Sequence, residues 1–129
     1  MVNISDYRFL MLEIKHFRQY LEDIKSLERE LYGKKGEDVE QLREALHTNR
    51  EYYLDKIKEN TEQIQTIEEL IATISEPYLT IMQKRFFEGQ KLEKIAETVF
   101  LERTSVSRYI TSALKELEVK YNARFKQIN

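Results

Sequence analysis

Only three glycines and one proline interrupt the 129 residues of this chain, and their positions govern what it can become. Gly33 and Gly36 bracket Lys34-Lys35, Pro77 follows Ser75-Glu76, and Gly89 stands alone. Elsewhere little can turn the backbone, so long helices are the expected outcome. The AVILMFWYC set supplies 41% of the chain and charged residues 34%, a balance that supports a core and argues against wholesale disorder. The length suits one domain or two very small ones rather than a large enzyme.

The first helix is expected from about Ser5 to Tyr32, with Ser5 or Asp6 as its cap. Its apolar stripe reads Leu10, Ile14, Phe17, Leu21, Ile24 and Leu31, with Glu28 interrupting it. Steps of four and three place these residues on one helix face. The Gly33–Gly36 turn ends that helix, and Glu37 or Asp38 starts the next, where acidic side chains suit the positive helix end.

The second helix is expected from about Asp38 to Ser75, with a stripe of Leu42, Leu46, Tyr53, Ile57, Ile64, Ile67, Ile71 and Ile74. It would span about 55 Å against about 40 Å for the first. A short connection makes the two antiparallel neighbours, an N-terminal helical hairpin of coiled-coil type over residues 1–75. The longer helix projects its isoleucines beyond the shorter one. Ile64, Ile67, Ile71 and Ile74 must be covered by the C-terminal part or by a second copy, and a homodimer is the favoured expectation. Asn49 and Asn60, polar residues within the stripe, are expected to act as register devices.

Ser75-Glu76-Pro77 breaks the long helix, and the helices then shorten. Segments are expected over Pro77–Glu88, closed by Gly89, then Lys91–Val99, then from Arg103 to at least Leu117. Val119, Tyr121, Phe125 and Ile128 extend the last of these. The fold class is therefore all-α, with a trihelical helix-turn-helix domain over residues 76–129 following the hairpin. Charge divides with it. Residues 1–75 carry 11 Lys/Arg against 16 Asp/Glu, and residues 76–129 carry 10 against 7, so any polyanion-binding surface belongs to the second part.

Residues 91–110 carry the functional signal. Ala96 is small where two helices must cross closely, and Ile95, Val99, Leu101, Val106 and Tyr109 or Ile110 are spaced to pin them together. Arg103, Thr104, Ser107, Arg108 and Thr111 are then left on the opposite face of the last helix, short, polar and basic, as a helix lying in the DNA major groove requires. Arginine bridges guanine O6 and N7, and hydroxyls meet base edges. Lys84, Arg85, Lys91, Lys94 and Lys115 are the phosphate-contact candidates.

Leu79, Arg85-Phe86-Phe87-Glu88-Gly89, Ile95-Ala96, Val106 and Ala113-Leu114-Lys115-Glu116-Leu117 together resemble region 4 of sigma-70-type factors. A helical N-terminal segment joined to such an end is similar to small phage and prophage regulators, the ArpU-like and RinA-like late-gene activators. The specific likeness covers residues 76–118. It implies a sequence-specific transcription regulator acting on double-stranded DNA in the cytoplasm of a bacterial host, with RNA polymerase as a further partner. Two positions depart from the family pattern: Phe100 stands where glycine usually makes the turn, and Glu102 where serine often caps the recognition helix, leaving Thr104 or Ser105 to cap a later start.

Other classes fit less well. Without cysteine there is no disulfide, thiolate zinc site or cysteine nucleophile. His16 and His47 are far apart, no phosphate-cradling glycine loop or His-Glu-x-x-His segment occurs, and the many glutamates fall among Lys and Arg as on solvated helix faces. No enzyme activity, metal or cofactor is expected. The longest charge-free run, Pro77 to Gln83, is far too short for a membrane span, and the N-terminus lacks the pattern of a secretory signal. The alternatives are the DNA-recognition subunit of a phage packaging machine, of small-terminase type, and a sigma-like module that binds polymerase rather than DNA.

Overall fold

A computed structural model describes residues 2–126, with side chains through Tyr121; the expected contributions of the Phe125 side chain and of Ile128 lie outside the described residues. The described chain is all-helical. A tight turn at Ile4–Asp6 leads into α1 (Tyr7–Glu30), followed by α2 (Glu37–Ile71), α3 (Tyr78–Met82), α4 (Leu92–Val99) and α5 (Arg103–Lys126). The Asn3 side chain accepts from the Ser5 N–H at 3.0 Å, so the cap lies at Asn3 rather than at Ser5 or Asp6. Helix α2 stops at Ile71, short of Ser75. Thr73 bonds Leu70 O through both its N–H and its hydroxyl, diverting that carbonyl from the helical ladder.

Packing divides the chain into two compact units, residues 9–63 and residues 1–8 with 64–129. In the first, α1 and α2 run in opposite directions. The Asn60 amide donates to Leu10 O at 3.4 Å, the Phe17 and Tyr20 rings meet Tyr53 at 5.8 and 5.1 Å, and Arg43 reaches Leu31 O at 2.8 Å. Leu10, Phe17 and Ile24 on α1 and Leu31 just past its end are seven apart, as are Val39, Leu46, Tyr53 and Asn60 on α2, the period of supercoiled helices. Ile24, Leu31 and Leu46 form the buried centre, with Val39 and Tyr53 against it.

Asn60 is buried and also donates to Glu13 at 3.2 Å, whereas Asn49 is exposed. One of the two expected register devices is thus engaged, and it pairs α2 with α1 of the same chain. Arg43 adds an unforeseen device. Its guanidinium also donates to Lys34 O at 2.9 Å, closing off carbonyls left at the end of α1.

The second unit has its own core of Ile4, Ile67, Leu70, Ile71, Ile81, Met82, Ile95, Val106, Ile110 and Leu117. Ile64, Ile67 and Ile71 are buried and Ile74 half-buried in the single chain, so the isoleucine stripe does not itself call for a second copy. Each such burial is worth about 1.5–3 kcal/mol. Tyr7 fastens the N-terminal residues to this core: its ring lies 4.3 Å from that of Phe87, and its hydroxyl donates to Glu68 at 3.2 Å. Burial, and then the Glu68 charge and the hydrogen bond to it, raise the Tyr7 pKa above its ordinary value of 10.0.

The expected helix over 77–88 forms as α3 and then widens into a π-helical turn at Gln83–Phe87. Glu88 N–H bonds Gln83 O at 3.1 Å, five residues back. Gly89, at φ +68°, closes it as expected, and Gln90 N–H returns to Lys84 O at 2.9 Å.

Candidate nucleic-acid interface

Helix α4 packs on α5, α3 also packs on α5, and the π-helical turn lies against α4. Ile95 and Val106 are fully buried, Ala96 and Ile110 nearly so, and Val99, Leu101 and Tyr109 half-buried. Ala96 is where a small residue lets the helices approach. Tyr109 meets Tyr78 edge to face at 5.0 Å. Among the described residues the buried positions of α5 are Val106, Ile110, Ala113 and Leu117, a stripe stepping by four, three and four.

The junction between the helices is made by Phe100. Its backbone takes the left-handed conformation (φ 58°, ψ 41°), and the N–H groups of Phe100 and Leu101 both bond Ala96 O. The residue that stands where glycine would make the turn adopts glycine's conformation, at a cost of about 1–2 kcal/mol. Its side chain is 93% exposed. Helix α5 starts directly at Arg103, with Val106 N–H bonding Glu102 O at 3.0 Å, so Thr104 and Ser105 lie inside the helix and do not cap it.

That start sets where each candidate lies. Thr104, Arg108, Thr111 and Lys115 step by four, three and four along α5, opposite the buried stripe, and all are exposed. Ser107 is exposed on the flank of that face; its carbonyl accepts from the Thr111 hydroxyl at 3.0 Å. Arg103 lies beside the buried stripe rather than opposite it, and its Nε donates to Glu93 on α4 at 3.0 Å. Lys115, a phosphate candidate from sequence, shares the outward face with the base-reading candidates.

The remaining basic candidates separate by burial. Lys91 precedes α4 and Lys94 lies on it, both exposed. Lys84 and Arg85 are half-buried on the π-helical turn, and Arg85 donates to Gln90 O at 3.1 Å, pinning the Gly89 turn. Nothing in the sequence marked Arg85 as a brace, because its partner is a backbone carbonyl. His16 and His47 are exposed on different helices. Among the described residues no group of three or more His, Cys, Asp or Glu is placed to hold a metal ion, and no helix is long and apolar enough to cross a membrane.

Comparison with known proteins supplies no relative: no family model, no curated protein and no solved structure matches the chain.

Proposed function

We propose that this protein is a DNA-binding transcription regulator in which α4, the Phe100 turn and α5 act as a helix-turn-helix. The observation that carries this reading is the outward face of α5. Thr104, Arg108, Thr111 and Lys115 line it, Arg108 and Lys115 have no ion-pair partner among the described residues, and the opposite face is buried. A helix so divided presents hydroxyls and cations to a groove while its other side anchors it rigidly. Arg108 reads a base edge, and Lys91 and Lys94 hold phosphates and set the register. The likeness of residues 76–118 to sigma region 4 points the same way, toward promoter DNA in a phage or prophage setting.

The N-terminal antiparallel pair serves in this reading as an arm rather than a reader, its helices carrying the acidic excess of the chain. In this reading the role is that of an accessory activator working with a host holoenzyme. The test is selection of duplexes from a random pool by the full chain, followed by transcription from the selected site with purified polymerase. A recovered motif that Arg108→Ala relaxes, with activation requiring the host sigma factor, supports the reading. Recovery of no motif overturns it. Initiation with core polymerase alone would make the protein a sigma factor, and binding confined to a packaging site without effect on transcription would make it a packaging subunit.

A further inference from the structure

The two most exposed large apolar side chains among the described residues are Phe100 at 93% and Tyr32 at 89%, and their surroundings carry opposite charge. Phe100 stands in the α4–α5 turn between Glu97 and Glu102, both exposed and neither paired with a cation among the described residues. Glu93, the next acid along α4, is neutralised by Arg103. Tyr32 follows the end of α1, where Lys25, Glu28, Arg29 and Tyr32 line a shallow, mostly apolar depression. Glu28 is held by Arg50, so the charge left over at that depression is the pair of cations Lys25 and Arg29. Glu30, Glu37 and Asp38 lie near in sequence but do not line it.

The backbone gives Phe100 a second peculiarity. Glycine would make this turn without strain, yet a bulky side chain is held there in the left-handed conformation and turned into solvent. An aromatic that costs stability in the free chain and buries nothing of it is suited to anchoring a contact.

We propose that Phe100 of one copy seats against Tyr32 in the depression of a second copy, with Glu97 and Glu102 facing Lys25 and Arg29. The two surfaces are unlike: a two-fold pair of copies makes the contact twice, and a head-to-tail arrangement extends it to further copies. It rests on an aromatic pair rimmed by opposite charges, and it stands whether or not the chain reads DNA. One anchor of this size gives weak association, with a dissociation constant of about tens to hundreds of micromolar at low salt.

Sedimentation of the full chain over a concentration series tests it. The mass of the unaltered protein rises above the 15.6 kDa of one chain, and added salt reverses the rise. Phe100→Gly weakens the association by about tenfold or more while raising Tm, because glycine fits the turn without strain; the higher Tm separates a lost contact from a lost fold. Reversing the rim with Glu97→Lys and Glu102→Lys abolishes association, and adding Lys25→Glu and Arg29→Glu to the same chain restores it. A single-chain mass throughout the series overturns the proposal. So does association indifferent to Phe100→Gly, or a fourfold charge-reversed chain that stays folded and monomeric.

Discussion

Glu93 Oε1 accepts from Arg103 Nε at 3.0 Å, joining the first turn of α4 to the first residue of α5 by an ion bond whose two side chains are 62% and 63% exposed. At that exposure the pair is screened and contributes little to stability. Its consequence is positional: the guanidinium closest to the head of α5 is drawn toward α4 and away from the outward face.

Releasing it is expected to favour DNA. Glu93→Gln removes one acidic charge and frees Arg103, so affinity for duplex rises several-fold at low salt, and the gain shrinks as salt is added. Stability changes by no more than about 0.5 kcal/mol, so Tm barely moves. Fluorescence anisotropy across a salt series, beside a thermal melt, measures both. A large fall in Tm with no change in affinity would show the pair to be structural.

Arg85 and Lys91, equivalent from sequence, are expected to part company. Arg85→Ala frees a backbone carbonyl at a half-buried turn and lowers stability by about 1.5–3 kcal/mol, seen in urea unfolding. Lys91→Ala leaves stability unchanged, weakens binding to specific and random duplexes alike, and flattens the salt dependence by about one unit of slope. Identical behaviour of the two would refute this division.

Arg43 closes the end of α1 through the carbonyls of Leu31 and Lys34, and also pairs with Glu40 at 2.6 Å. Arg43→Ala is expected to cost about 1–3 kcal/mol, and Arg43→Lys recovers only part, since one ammonium cannot copy the planar fork. Hydrogen exchange at the last turn of α1 reports the loss; unchanged protection there would rule it out.

Alkaline pH isolates Tyr7. Its pKa is raised in the folded chain, so the neutral phenol is favoured by folding. The stability this adds is present below the unfolded value near 10 and is lost as pH rises through the higher folded value. The unaltered protein therefore loses stability more steeply than Tyr7→Phe above pH 10, while below it Tyr7→Phe is the less stable by its missing bond to Glu68. Parallel stability curves would show that the hydroxyl is not coupled to folding.

What could be read in the sequence was whatever repeats. The stripes of α1 and α2, the break at Gly33–Gly36 and the small Ala96 among apolar neighbours have counterparts in the structure, but Leu42 of the expected α2 stripe is exposed and α2 ends at Ile71, ahead of the expected break at Ser75–Pro77. What escaped has no period. Asn3 caps ahead of Ser5, Arg43 and Arg85 reach for carbonyls, and the π-helical turn at Gln83–Phe87 looks from sequence like ordinary helix. Arg103 escaped for another reason: its outward face was inferred from polarity, while its pairing depends on which acid α4 brings within reach. Phe100 was conspicuous as the absence of a glycine, but only the backbone shows that it takes the glycine conformation itself.

The Gly33–Gly36 turn gains a different meaning from the way packing divides the chain. It is exposed throughout and lies in the middle of one unit, residues 9–63, whose halves fall on either side of it. The other unit is divided there too, because Tyr7 comes before the turn, whereas Glu68 and Phe87, which it touches, come after. One protease cut at this turn would leave two fragments, neither containing a whole folding unit. Both units would then hold together only by fragment complementation, and the cohesion that the covalent link supplies within one intact chain would be lost with dilution.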